Sequence, residues 1–224
     1  MTHLDEELKQ LKDDTTAMWK LVVLQLKKTL EALVVLDKDL AHEVISNEKR
    51  VNSYELEIDR SCENIFALFN PLAVDLRFTL AILKINSNLE RTGDIAEGIA
   101  RFITKAERSF DEKLLSSSRI IEMYNEANSM LEDVLTAFTN EDTTLARRTF
   151  QRDEFLDEIN MNANKVVADY IRSNPENVEQ GLYIVSTIRK LERVGDQCKN
   201  IAEEIIFYLE AKVLKHTIQK QNGH

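Results

Sequence analysis

Glu90 and Asp94 stand four residues apart in a segment of helical pattern, and Glu192 and Asp196 repeat that spacing 102 residues later. Residues i and i+4 share a helix face, about 5–6 Å apart at Cβ, so each pair aims two carboxylates the same way. Like charges so placed repel by about a few tenths of a kcal/mol. One such pair carries no meaning. Its recurrence in a matched setting points to something cationic between the carboxylates, either an Arg or Lys or a metal ion. The setting is matched: at the same offset Ile82 pairs with Ile184, Leu89 with Leu191, Ile99 with Ile201 and Ala100 with Ala202. A shared apolar register around a shared polar motif marks an internal repeat.

Two of only five glycines, Gly93 and Gly195, fall at equivalent places inside these motifs. A glycine within a helix costs about 1 kcal/mol relative to alanine, so each marks a close approach by a neighbouring helix or a ligand. Upstream of each motif the repeat continues at an offset of 105. Leu40-Ala41 matches Leu145-Ala146, Glu48 falls on Asp153, and Asn52 falls on Asp157. The chain thus has three intact acidic pairs and one altered pair, Glu48 with Asn52. The plain alternative is a solvated acidic face offset by Arg77, Arg91 or Arg101, with Arg91 and Arg193 making structural ion pairs. His42 forms a lone Asp-x-x-His with Asp39 and has no repeat partner.

The elements that must carry these residues are helices. From about Leu4 to Leu36 apolar residues recur at steps of three and four, with Thr2 and Asp5 placed to cap the start. Asp37-Lys38-Asp39 breaks the pattern, with Asp39 as N-cap, and a second helix runs from about Leu40 to Phe69. Asn70-Pro71 predicts an Asn cap with Pro at the first helical position of a third helix, ending near Ala106. Ser109 and Glu112 have capping-box spacing for a fourth helix reaching Phe138. A fifth runs from about Thr143 to Ile171, and Asn174-Pro175 opens a sixth that continues to about Lys215. The expected fold is all-α: two tandem, pseudo-repeated three-helix bundles, residues 1–107 and 108–216, with a polar tail, 217–224, that frays. Helices of about 30 residues are about 45 Å long, so the bundles are elongated.

Composition narrows the function. The apolar fraction, 43%, supplies a core, and two Pro with five Gly favour long helices over sheet. A net charge of −10 argues against nucleic acid and suits solubility, basic partner surfaces or cations. No apolar run reaches 18 residues, and the acidic start Met1-Thr2-His3-Leu4-Asp5-Glu6-Glu7 is not a signal peptide. Cys62 and Cys198, far apart, read as reduced core residues of a cytoplasmic protein. Cys198 aligns with Ala96, as a small buried residue would. Trp19, Phe66, Phe69, Phe102 and Phe138 read as core or interface. No Ser/His/Asp or Cys/His set and no Gly-rich phosphate loop exists, so ordinary catalysis is not expected. A ferritin-like metalloenzyme would need Glu-x-x-His on two helices, which the chain lacks.

Leu89-Glu90-Arg91-Thr92-Gly93-Asp94 and Leu191-Glu192-Arg193-Val194-Gly195-Asp196 resemble the Leu-Glu-Arg-Ile-Gly-Asp pattern of the PhoU family, the regulators of phosphate uptake and phosphate signalling. Val74-Asp75-Leu76-Arg77-Phe78 is similar to that family's lead-in to the third helix, and the resemblance covers nearly the whole chain. It implies a cytoplasmic, homodimeric negative regulator of phosphate-responsive genes. Its partners would be the ATPase of a phosphate ABC transporter and a sensor histidine kinase, with only peripheral contact with membrane complexes and no nucleic acid. It implies metal ligation by Glu48 and Asn52, Glu90 and Asp94, Asp153 and Asp157, and Glu192 and Asp196. Asn52 departs from the family's usual Asp; an amide oxygen ligates a hard cation without charge. Carboxylate ligands suit Mg²⁺, Mn²⁺ or iron, with Zn²⁺ also open, although a structural zinc site would draw on Cys and His. Four acidic side chains in the second repeat against three in the first predict that the second holds metal more firmly. The alternative is a metal-free helical adaptor.

Overall fold

The computed structural model describes residues 2–214. These residues form seven α-helices and one 3₁₀ turn, with no strand among them: α1 His3–Val35, α2 Lys38–Phe69, α3 Ala73–Lys105, α4 Glu112–Ser117, α5 Ile120–Asn140, α6 Thr143–Ser173, the turn Pro175–Asn177, and α7 Val178–Glu210. Helices α1, α2 and α3 pack as one three-helix unit and α5, α6 and α7 as a second. At 33 residues α1, α3 and α7 are each about 50 Å long. No helix among the described residues is long and apolar enough to cross a membrane.

The helix ends follow local chemistry, and several differ from the sequence reading. Thr2 and Asp5 do form a reciprocal capping box on α1. Leu36 and Glu141, 105 residues apart, both take the left-handed conformation that ends a helix, and Asp37 and Asp142 then cap α2 and α6. The expected cap Asp39 therefore lies inside α2. Asn70 does not cap α3; it ends α2 in the left-handed region at φ 45°, where Asn is tolerated. Leu72 takes the N-cap position without a side-chain bond, so Pro71 precedes the helix rather than opening it. Asp111, not Ser109, caps α4 by accepting from the Leu114 amide. The expected fourth helix is two helices, broken at Ser118–Arg119, where Arg119 is left-handed. Asn174 makes no N-cap bond; its side-chain amide instead donates to the Tyr170 carbonyl at the end of α6, and Pro175 opens the 3₁₀ turn before α7. Helix α7 ends at Glu210 with a left-handed Ala211, short of Lys215. The tail predicted to fray from Thr217 lies outside the described residues.

Along α2 the buried positions Ala41, Val44, Glu48, Val51, Ile58, Cys62 and Ile65 fall on a three–four seam. On α6 the seam Ala146, Thr149, Asp153, Leu156, Ala163, Val167 and Tyr170 is its counterpart at an offset of 105. Each seam admits one carboxylate at the same place, Glu48 or Asp153. Cys198 and Ala96 are fully buried, as their alignment predicts.

The two units join through α3 against α7 and α1 against α5. Lys84 pairs with Glu204 at 3.0 Å and Asn200 Nδ2 donates to Asn88 Oδ1 at 3.3 Å, while Phe102 stacks on Tyr183 with centroids 5.4 Å apart. Residue numbers rise on α3 as they fall on α7, so the two helices run antiparallel. Trp19 and Phe138, both fully buried, meet at 5.6 Å, and the Trp19 indole donates to the Leu131 carbonyl.

Candidate functional site

The first groove is built on Glu48. The seam of α2 turns its carboxylate toward α3, where the residue is only 5% exposed. Neither carboxylate oxygen has a hydrogen-bond partner among the described residues. Gly93 makes the approach possible: a Cβ there would stand 3.0 Å from Glu48 Oε2 and 3.1 Å from Val51 Cγ1. An unpaired buried carboxylate is costly in its charged form. Burial, with Asp94, Glu97 and Glu90 adding repulsion, pushes the Glu48 pKa up to about 8. Buried Gln25 opposes this weakly, its amide donating to the Val44 carbonyl rather than to the carboxylate.

The rim of this groove is more acidic than the motifs foretell. Burial raises Glu90, as do Asp94 and Glu55, against the nearby Arg91. Burial raises Glu55, as do Asp59 and Asp94. Asp94 and Asn52 are exposed, and Asn52 brings no charge. The expected offsets lie elsewhere. Arg77 donates to the Tyr208 carbonyl across the unit interface, and Arg101 pairs with Glu97 at 2.6 Å rather than with Glu90 or Asp94.

The second groove repeats the plan with a different outcome. Asp153 is 5% exposed and faces Gly195, where a Cβ would stand 2.8 Å from Asp153 Oδ1 and 2.6 Å from Leu156 Cδ1. Its Oδ1 has no partner, but its Oδ2 accepts from the Lys199 ammonium, which also stands 2.9 Å from Asp196. Burial raises the Asp153 pKa, with Lys199 pulling the other way. Burial also raises Glu192, with Asp196, Asp157 and Asp153 adding to it and Lys199 opposing. Burial works against the Lys199 ammonium, yet its bonds to Asp153 and Asp196 prevail and its pKa moves up. Asp157 is exposed at the rim.

The structure brings Glu48, Glu90 and Asp94 within reach of one another's charge in the first groove, and Asp153, Asp157, Glu192 and Asp196 in the second, while Asn52 is exposed one turn along α2 from Glu48. Among the described residues, however, no group of three or more His, Cys, Asp or Glu is placed to hold a metal ion. Sequence reasoning missed Glu55, Glu97 and Lys199. All three lie seven residues beyond a motif acid, two turns along the same face, a signal that a four-residue search does not reach. They overturn the acid count behind the expectation of a firmer second site: the first groove gains two carboxylates and the second gains an ammonium. His42 is exposed, six residues before Glu48 on α2. Cys62 and Cys198 are buried free thiols, and burial pushes both up, the first to about 12.

A family model, described as the PhoU domain, matches residues 15–103 and 120–205, one copy in each three-helix unit. The chain is 33% identical to a protein of Aquifex aeolicus named as a phosphate-specific transport system accessory protein PhoU homolog, over 98% of this chain and 99% of that protein. It is 31% identical to the phosphate-specific transport system accessory protein PhoU of Escherichia coli, over 94% of this chain and 86% of that one. Among solved structures, PhoU of Pseudomonas aeruginosa superposes with a TM-score of 0.88 at 29% identity, covering 94% of this chain and 100% of that one. The phosphate transport system regulatory protein PhoU of Streptococcus pneumoniae gives 0.83, also at 29% identity, over 94% and 99% of the two chains.

Proposed function

The chain belongs to the PhoU family, and from that premise we propose that it is an accessory regulator of phosphate-specific transport and of phosphate-responsive signalling. The observation that carries this reading is the match of the family model to both three-helix units. In this reading the protein is cytoplasmic and is not an enzyme. It works by contact, as a homodimer, with the ATPase of a phosphate ABC transporter and with a sensor histidine kinase. It touches membrane complexes only peripherally, binds no nucleic acid, and holds phosphate-responsive genes down when phosphate is plentiful.

The carboxylate grooves are the part of the reading that involves metal. The unpartnered Glu48 carboxylate beneath an acidic rim, with Gly93 leaving it room, fits a cation. Glu48, Glu90 and Asp94, with the neutral Asn52, would hold it in the first groove, and Asp153, Asp157, Glu192 and Asp196 in the second. A bound Mn²⁺, Mg²⁺, iron or Zn²⁺ ion would neutralise the cluster. A second reading, a metal-free adaptor with acidic faces, is favoured in the second groove by the Lys199 pairs.

Deletion of the gene in its own host tests the regulatory reading. With phosphate plentiful, a phosphate-responsive reporter should switch on in the deletant and be silenced again by the restored gene. An unchanged reporter contradicts the reading. Purification without chelator, followed by elemental analysis, separates a metalloprotein from a metal-free adaptor.

A further inference from the structure

We propose that the two grooves are not equivalent cation sites: Lys199 is a built-in cation that closes the second, and the first, where Glu97 stands at the matching position, is the one that takes metal ions. The inference rests on the metal-binding reading above and goes beyond it in assigning the metal to one half of the chain.

The argument starts from the offset of 102, which places Glu97 on Lys199. In the second groove the Lys199 ammonium already bonds Asp153 Oδ2 and lies 2.9 Å from Asp196. A metal ion can claim those carboxylates only by breaking a pair at a residue that is 5% exposed. Removing one partner from such a buried pair is strongly unfavourable. Among the described residues the first groove has no such occupant. Both Glu48 oxygens are buried and unpartnered, and they point at the α3 backbone beside Asp94. Arg101, which is 56% exposed, bonds Glu97, and Arg91 is exposed beside Glu90. Neither bonds Glu48. Affinity for a hard cation rises with the number of charged ligands. Glu48, Glu55, Glu90, Asp94 and Glu97 serve the first groove, whereas in the second an ammonium offsets one of four carboxylates. The ligand class is a hard divalent cation such as Mn²⁺.

The test is equilibrium titration of the chelator-stripped full chain with Mn²⁺, free ion being read by electron paramagnetic resonance. Lys199→Glu gives the second groove the residue of the first, and tightly bound Mn²⁺ per chain should about double. Lys199→Gln removes the ammonium without adding repulsion and should also raise the count. Glu97→Lys gives the first groove the residue of the second and should abolish most tight binding. Circular dichroism melting checks that each variant is folded; if Lys199→Glu does not fold, Lys199→Gln and Glu97→Lys decide. A wild type whose tight binding only halves in Glu97→Lys, with folded Lys199 variants unchanged, overturns the inference and leaves the metal reading standing. No tight Mn²⁺ in the wild type or any variant overturns both.

Discussion

The α2–α3 groove and the α6–α7 groove share a seam carboxylate, a facing glycine and a Glu-x-x-x-Asp rim, and they part most sharply at one position. Two turns beyond the rim glutamate stands Glu97 in one and Lys199 in the other. Glu48 is consequently unpaired, and its pKa rises to about 8, while Asp153 has an ammonium to bond. The core beneath differs in the same direction. Buried Gln25 lies by Glu48, whereas the residue matching Gln25 at an offset of 105 is the apolar Met130. The difference teaches that one scaffold can stabilise a buried carboxylate in two ways, with a lysine of its own or by leaving it to be protonated or to meet a cation.

The largest effect expected from this contrast is on stability against pH in chelator. The Glu48 pKa is raised from 4.5 to about 8, so the folded state keeps a proton that the unfolded chain loses. Its contribution is complete below pH 4.5, declines as pH rises, and is gone above about 8. The loss is about 5 kcal/mol at most, at about 1.4 kcal/mol for each unit of pKa. Glu48→Gln should flatten urea-unfolding stability between pH 4.5 and 8. Asp153→Asn should flatten it less, because Lys199 opposes the burial of Asp153. Equal flattening by the two variants would break the comparison.

Next in size is the loss of the lysine. Lys199→Met leaves Asp153 buried without its partner and should cost about 2–3 kcal/mol, below the full value for a buried pair because the Lys199 side chain is 29% exposed. Glu97→Met, which loses a surface pair with Arg101, should stay within about 1 kcal/mol of wild type. Chemical denaturation in chelator reads both, and a larger loss from Glu97→Met would contradict the assignment of the two positions.

The smallest effect separates the glycines. Alanine gains about 1 kcal/mol of helix propensity at either site. At Gly195 the new Cβ would lie 2.6 Å from Leu156 Cδ1 in a fully buried core, so Gly195→Ala should destabilise by about 1–2 kcal/mol net. At Gly93 the tightest contact is 3.0 Å to Glu48 Oε2, and Gly93→Ala should fall within about 1 kcal/mol of wild type. Thermal melting ranks them, and the reverse order would show that the first groove is the more closely packed.

The helices and their repeat were legible because apolar spacing and the Glu-x-x-x-Asp motif recur at fixed offsets. The helix ends were less so. Asn70 is equally suited to ending a helix in the left-handed conformation and to starting the next, and only packing decides. The break at Arg119 follows the polar run Ser116-Ser117-Ser118, which a reading by the apolar residues on either side, Leu115 and Ile120, bridges. In the grooves, the i, i+4 acids could be read directly. The burial of Glu48 could not, since an acid on an apolar seam looks like a surface position until the neighbouring helix is in place. Glu55, Glu97 and Lys199 were missed because they join the motif acids two turns away, and the sign of that third residue is what sets the halves apart.

Site-resolved occupancy tests the central claim most directly. Crystals of the wild-type chain equilibrated with Mn²⁺ and measured at the manganese absorption edge should give anomalous peaks beside Glu48 and Asp94. Beside Asp153 they should give none, with Lys199 still in place there. Peaks of equal height in both grooves, or a peak beside Asp153 alone, would contradict the account.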